Sequence, residues 1–312
     1  MRPFSILVLC LFSCGPVVPL ENPFESEPRL HDEGATLPPD PAAPLRIIAI
    51  DVGQGDGTLV IGPDGTTLLI DTGPLFSGSR PILERLAAED VTDLDLILLT
   101  HFDTDHIGGT LELLGKFTPV VPVIDRGDST VQDHPLFFSY LDIAGDHRRA
   151  AVPGELFSLG HGATAMVVVV NGQYLDGTGI HLNPDEENEA SIGLLIEYGE
   201  FRYLTSGDLS GGGSPGGYPT KNLEKKLGEI VGDIDILRLS HHGSDSSTRD
   251  DFLEWVTPEI AIISVGRENT YHHPAVKVIE RLDKRGIEIF RTDQDGTIEI
   301  RSDGKGYEMK IE

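Results

Sequence analysis

Leu94-Asp95-Leu96-Ile97-Leu98-Leu99-Thr100-His101-Phe102-Asp103-Thr104-Asp105-His106 passes from an apolar run straight into four potential metal ligands. Leu94 to Leu99 reads as a strand buried on both faces, because a strand with one face in water would alternate. The polar residues begin where that strand stops. A helix is expected from Asp105–His106, with Gly108-Gly109 letting it pack closely. Two imidazoles and two carboxylates at the mouth of a buried strand suit zinc, manganese or iron, all of which accept mixed nitrogen and oxygen donors. The competing reading is that these residues pair with one another and cap the helix. Asp103 or Asp105 at the N-cap is compatible with either.

Three more clusters share this layout. Ser206-Gly207-Asp208 follows the apolar stretch Arg202–Thr205. Ser240-His241-His242-Gly243-Ser244 follows Ile236–Leu239, and Asn269-Thr270-Tyr271-His272-His273-Pro274 follows Ile260–Val265. Each is an apolar strand and then a loop of ligand-type residues. In layered α/β folds such strand ends meet at one crevice. A Gly-Asp turn alone is common; four such clusters pointing to one place are a stronger argument.

Outside these clusters, strands are expected at Ile47–Val52, Thr58–Ile61, Thr67–Asp71, Asp95–Thr100, Val120–Ile124 and Ala165–Val170. Further strands follow at Ser191–Tyr198, Phe201–Ser206, Ile234–Ser240, Ile260–Val265, Glu288–Arg291, Thr297–Arg301 and Tyr307–Ile311. Helices are expected at Pro81–Ala88, Lys221–Val231, Arg249–Trp255 and Ala275–Arg285, with Trp255 in the core. Asp176 to Glu189 and Gly211–Gly217 read as loops, the first lying over the site. Pro63-Asp64-Gly65 is a hairpin turn, its glycine taking the positive φ. Strands alternating with helices, with hairpins at both ends, argue one layered α/β domain over residues 46–312, built on two mixed β-sheets.

The charge balance is unusual: Lys+Arg 24 against Asp+Glu 51 gives −27 over 312 residues. That field repels polyanions at long range and counts against tight binding of duplex DNA. The first residues form a separate segment. Met1-Arg2, the apolar Ile6–Phe12 and the small Ser13-Cys14-Gly15 have the layout of an export signal over residues 1–14. Leu11-Phe12-Ser13-Cys14 also resembles a lipobox, in which Cys14 would carry a lipid tether. Residues 15–45 read as a Pro-rich acidic linker. The expected location is therefore periplasmic or outer-surface. The cysteines are Cys10 and Cys14 alone, both in the signal segment, so any metal falls to His, Asp and Asn.

At this point the residues support a resemblance. His101-Phe102-Asp103-Thr104-Asp105-His106 looks like the metallo-β-lactamase superfamily signature HxHxDH, with Asp103 where the second His usually stands. That substitution is similar to the C-terminal hydrolase domain of ComEC-type competence proteins. Asp51-Val52-Gly53-Gln54-Gly55-Asp56 upstream and Ser240–Ser244 downstream fit the same pattern. Leu69–Gly73, Asn188 with Ser191, Thr205–Asp208, Asn269–Pro274 and Arg291–Gly296 also follow in the same order, so the resemblance covers about residues 46 to 301. It does not include that family's membrane channel and carries no expectation of a translocation pore. The superfamily's mid-chain metal His is missing, with Asn188 or Ser191 standing in that region, so one of the two metal sites would be weaker or completed by water.

The resemblance implies a four-layer αββα sandwich with metals at the edge between the sheets. Carried over, His101 and Asp103 would hold one metal, and Asp105 and His106 the second. Asp208 would bridge, and His241 would complete the second site, with His242 as its rival. Zn²⁺ is the expected cofactor, as one or two ions, with Mn²⁺ the alternative. Two cations about 3.5–4 Å apart would acidify a bridging water and stabilise a developing oxyanion. Asp105 would orient the attacking hydroxide and His242 would assist catalysis, while Asp71 would hold a ligand imidazole from behind.

Several residues carry two readings. Asp51, Gln54 and Asp56 either line the site or join the first strands in a turn network. Ser244 and Ser247 contact a substrate phosphate or cap a loop, and His272 and His273 donate to substrate or pack beside Pro274. The expected function is an exported phosphodiesterase or nuclease-like hydrolase acting on small molecules or single-stranded nucleic acid. The alternatives are hydrolysis of esters, lactones or amides, and a metal-binding scaffold without turnover.

Overall fold

The computed structural model describes residues 43–117, 121–128, 135–183, 185–213 and 219–312. The expected signal segment, Cys14 and nearly all of the linker lie outside the described residues. In chain order the strands begin with β1 (Leu45–Ala49), β2 (Thr58–Ile61), β3 (Thr67–Ile70), β4 (Leu96–Leu98), β5 (Val123–Asp125) and β6 (Arg148–Ala150). Next come β7 (Leu156–Ser158), β8 (Thr164–Val170), β9 (Gln173–Tyr174), β10 (Gly193–Tyr198) and β11 (Phe201–Thr205). A small ribbon pairs β12 (Gly211–Gly213) with β13 (Thr220–Asn222). The last strands are β14 (Ile236–Arg238), β15 (Ile260–Ile263), β16 (Glu288–Arg291), β17 (Ile298–Ser302) and β18 (Tyr307–Ile311).

One sheet runs β18-β17-β1-β2-β3-β4-β5-β6 and the other β16-β15-β14-β11-β10-β8-β7, with β9 paired to β8. Each is antiparallel over one half and parallel over the other: β3 to β6 run parallel in the first, and β11, β14, β15 and β16 in the second. Parallel strands need crossovers, and helices on the outer faces supply most of them.

The alternation along β1 shows how the layers form. Ile47 and Ala49 face inward to a core shared with Val167, Leu194, Ile196, Tyr203, Ile236 and Ile262 of the second sheet. Ile48 and Ile50 face the other way, onto α1 (Ser79–Ala88), α3 (Thr110–Lys116) and α4 (Pro135–Ala144). The outer face of the second sheet is covered by α5 (Glu224–Val231), α6 (Asp250–Val256) and α7 (Val276–Arg285). The result is the expected αββα sandwich, with all of β4 buried or nearly so.

Several elements differ from expectation. The helix expected over Lys221–Val231 starts at Glu224, because Thr220–Asn222 pairs with the glycines 211–213. The helix α4, rich in aromatics, was not expected; Tyr140 buries its ring there and donates its hydroxyl to Asp125 at 2.5 Å. Trp255, expected in the core, is 48% exposed. It lies on the outer side of α6, where its Cβ closes over Gly228 of α5; a Cβ at Gly228 would stand 3.0 Å from it. Among the described residues no helix is long and apolar enough to cross a membrane.

Candidate metal centre

The site forms where β3, β4, β11 and β14 end. Asp71, one residue past β3, catches the chain leaving β4. Its Oδ1 accepts the Thr100 amide and its Oδ2 the Thr100 hydroxyl, both at 2.8 Å. Asp71 takes a left-handed backbone, φ 58°, which Asp tolerates better than most side chains. The same Oδ2 accepts Nδ1–H of His106 at 2.8 Å. His106 lies in the short helix α2 (Thr104–Ile107), which Asp103 precedes in an extended conformation.

Three imidazoles end in the same tautomer. His106 uses Nδ1 to donate to Asp71. The Thr100 hydroxyl gives its proton to Asp71, so His101 Nδ1, 3.1 Å away, is the donor to that oxygen. His242 Nδ1 donates to the Ser264 carbonyl at 2.8 Å. Each ring therefore turns its Nε2 inward, and a backing acceptor on the far nitrogen is the usual arrangement behind a metal-binding His. All three Nε2 atoms are buried without a hydrogen-bond partner, as is Oδ1 of Asp208.

These atoms converge. His106 Nε2 lies 3.2 Å from Asp208 Oδ1, and His242 Nε2 lies 3.7 Å from Asp208 Oδ2 and 3.3 Å from Asp105 Oδ2. The His101 and His106 rings are 4.1 Å apart, and Asp103 Oδ2 stands 3.6 Å from His101 Nε2. Asp56, His106, Asp208 and His242 each bring a ligand-type atom within 4.8 Å of the others, and all four residues are buried. Lone pairs facing carboxylate oxygens at such distances repel unless a proton or a metal cation lies among them. The donor set of imidazole nitrogen and carboxylate oxygen fits a divalent metal such as zinc or manganese.

The electrostatics agree. Burial alone would discharge His106, yet Asp208 and Asp71 outweigh it and hold the ring well above its ordinary value. Burial likewise works to raise Asp208, but His242, His106 and His241 hold it well below the usual carboxylate range. At Asp105 burial is again opposed and overcome, by the contact with His242 and the charge of His106. Burial and the neighbouring rings of His241 and His242 push His273 down to about 4. The cluster demands a positive charge.

Of the residues expected as ligands, His106 and Asp208 join the buried group of four, His101, Asp103 and Asp105 stand beside it, and Asp56 and His242 complete it in place of His241. His241 was expected as the ligand and His242 as the catalytic neighbour. His242 is the residue inside the buried group, with its side chain 2% exposed. His241 sits at the rim with its side chain 25% exposed, its Nε2 3.7 Å from Asp208 and 3.3 Å from the Asn188 amide nitrogen. Both carry left-handed φ, 50° and 52°. Two consecutive non-glycine residues there store on the order of 1–3 kcal/mol each, the kind of strain that collects at functional sites. Gly243 completes the turn, where any Cβ would come within 2.8 Å of Pro274.

Other residues hold the frame. Asp56 forms a buried ion pair with Arg238, whose Nη1 also donates to the carbonyls of Gly207 and Leu239. Arg238, a lone cation in Ile236-Leu237-Arg238-Leu239, was a readable signal, since a buried charge needs a partner. Asp51 caps Gly53, and Gln54 accepts the Gly266 amide at 3.1 Å, so both serve the turn network. The Ser244 and Ser247 hydroxyls bond within their own loop. Mid-chain, residues 187–192 tie the ligand loops together. Glu187 accepts the Phe102 amide at 2.8 Å and pairs with Arg126; Ser191 accepts the Asp208 amide at 3.1 Å; Ile192 N donates to Thr100 O at 2.9 Å. Nothing in the sequence near Glu187 announced its link to a loop 85 residues away.

Fold and site together define a metal-dependent hydrolase, and a profile of the metallo-beta-lactamase superfamily matches residues 50–267. The chain belongs to that superfamily. Among curated proteins it is similar to ComE operon protein 3 of Bacillus subtilis (strain 168), 31% identical over 81% of this chain and 32% of that protein. It is also similar to Competence protein ComA of Neisseria gonorrhoeae, 30% identical over 80% of this chain and 31% of that protein. The chain thus spans about a third of the length of these relatives. Among solved structures, the metallo-beta-lactamase fold protein YhfI from Bacillus subtilis superposes with a TM-score of 0.52 at 14% identity, over 82% of this chain and 99% of that one. That likeness speaks for the fold.

Proposed function

We propose that this chain hydrolyses phosphodiesters, with small or single-stranded nucleic-acid substrates, using one or two zinc ions, manganese being the alternative. The observation that carries the reading is the convergence of the unpartnered Nε2 atoms of His106 and His242 on Asp208, with the His101 ring packed beside His106. The relatives named as competence proteins direct it towards nucleic acid.

In this reading His106, His242, Asp105 and Asp208 hold one metal, and His101 with Asp103, on the more open side, contribute to a second. His241 lies at the rim, placed to meet the substrate. A divalent metal there would supply a Lewis acid for a phosphoryl oxygen and would acidify water. The chain's own residues do the rest. Asp71, Thr100 and the Ser264 carbonyl fix the ring tautomers. Asp105, only part-buried beside His242, can accept a proton from attacking water. We also take residues 1–14 as an export signal with Cys14 as a candidate lipid anchor; intact mass of the membrane-fraction protein tests it, and an unmodified Cys14 removes the anchor.

Function is tested by incubating metal-loaded protein with bis-p-nitrophenyl phosphate, a thioester and a lactone, before and after chelation. Chelator-sensitive cleavage of the phosphodiester with little action on the other two supports the reading. Preference for the thioester or lactone replaces it with acyl hydrolysis, and cleavage of none makes the chain a metal-binding scaffold.

A further inference from the structure

A line of aromatic rings runs from solvent to the metal centre. Tyr271 is 66% exposed. It lies flat on His273, with ring centroids 5.8 Å apart and planes 14° from parallel. His273 sets its edge against His241 at 5.6 Å, and His241 reaches Asp208. The loop presenting Tyr271 is pinned. Asn269 accepts the His273 amide at 2.9 Å and donates to the carbonyls of Gly266 and His273 at 3.0 and 2.8 Å. His272 takes φ 59° to close the turn. A single aromatic at a surface is ordinary; this one is held on a fixed loop and stacked on His273, which meets His241 at the rim of the buried group.

We propose that Tyr271 and His273 form a nucleobase subsite, seating an unpaired base of a single-stranded nucleic acid next to the phosphodiester at the metal centre. The proposal rests on the phosphodiesterase reading above. Charge supplies its reason. A chain of net charge −27 repels the sugar–phosphate backbone, so affinity for nucleotides flanking the scissile bond has to come from uncharged surface. An aromatic face offers that surface to any base, because every base has a π-face. Bases paired in a duplex are not free to stack there, so the subsite selects single strands.

The test is steady-state hydrolysis, by the metal-loaded full chain, of a thymidine tetranucleotide and of its counterpart lacking the bases that flank the central phosphate. Wild type, Tyr271→Ala and Tyr271→Phe are compared after confirming equal Tm. The expected result is that Tyr271→Ala raises KM about tenfold for the base-containing substrate with kcat within twofold. Tyr271→Phe should match wild type, and the abasic substrate should be equally poor for all three. An unchanged KM in Tyr271→Ala, with hydrolysis intact, overturns the subsite and leaves the phosphodiesterase reading standing. Should wild type cleave neither the oligonucleotides nor bis-p-nitrophenyl phosphate, that reading fails. Whenever the oligonucleotides are left uncut, the subsite is decided by equilibrium binding of thymidine 5′-monophosphate, where tenfold weakening by Tyr271→Ala upholds it, and equal or absent binding overturns it.

Discussion

Oδ2 of Asp71 accepts Nδ1–H of His106 at 2.8 Å, and the opposite nitrogen of that ring faces Asp208 at 3.2 Å. The carboxylate behind the ring thus decides which nitrogen is left for a metal. Asp71→Asn keeps the shape and the left-handed backbone, but its amide NH₂ must oppose either the Thr100 amide or the Thr100 hydroxyl together with His106 Nδ1–H. Metal affinity is expected to fall about 10–100-fold. Calorimetric titration of wild type and variant with Zn²⁺ measures this, and equal affinities would remove Asp71 from the account.

The raised His106 has a pH consequence. Without metal, burial is outweighed by Asp208 and Asp71, so the ring keeps its proton at neutral pH. That favourable contribution is fully present below the ring's ordinary value of 6.5 and is lost as pH rises through the raised one. Metal must displace this proton, so the metal-free chain loses stability towards alkaline pH while metal affinity grows. Titrations at pH 7 in buffers of different ionisation enthalpy should show at least about one proton released per metal. No proton release would contradict it.

The Asp56–Arg238 pair is buried on both sides. Removing one partner strands the other charge, at a cost of about 3–5 kcal/mol. Arg238→Met is expected to lower Tm by roughly 10 °C, and Arg238→Met with Asp56→Leu to recover most of it. Thermal unfolding with and without metal checks this. A double variant as unstable as the single one would show that Asp56 serves more than the ion pair.

Glu224 is a different case. Burial pushes its carboxyl up to about 8, although it accepts the Thr248 amide at 2.6 Å. In the unfolded chain it ionises near 4.5. Its contribution is therefore full below pH 4.5 and is lost as pH climbs through 8. Glu224→Gln keeps the accepting oxygen and removes the ionisation. It should match wild type at pH 4.5 and exceed it at pH 9 by on the order of 5 kcal/mol, or roughly ten degrees in Tm. Parallel melting curves at both pH values test it.

Much of this was legible in residue order. Buried strands announce themselves by unbroken apolar runs, and the ligand loops by polarity that begins abruptly after them. His101, Asp103, Asp105, His106 and Asp208 were all readable that way. Which of His241 and His242 stands inside the buried group was not, because adjacent residues in a turn are sorted by backbone φ, and left-handed values at both leave no periodicity to read. The mid-chain ties were hidden for another reason. Glu187 and Arg126 meet across 61 residues, a tertiary pairing with no local trace. Trp255 misled because its size suggested burial, whereas the helix pair closes on the small Gly228 instead.

A metal centre built on His101, His106, His242 and Asp208 would act on phosphodiesters only when loaded. The most direct test titrates Zn²⁺ or Mn²⁺ into chelated wild type and Asp208→Ala, reading bound metal by mass spectrometry and bis-p-nitrophenyl phosphate cleavage in the same samples. Cleavage is expected to rise in step with bound metal in wild type, and Asp208→Ala to lose both. Cleavage unchanged by chelation, or retained in Asp208→Ala, would contradict it.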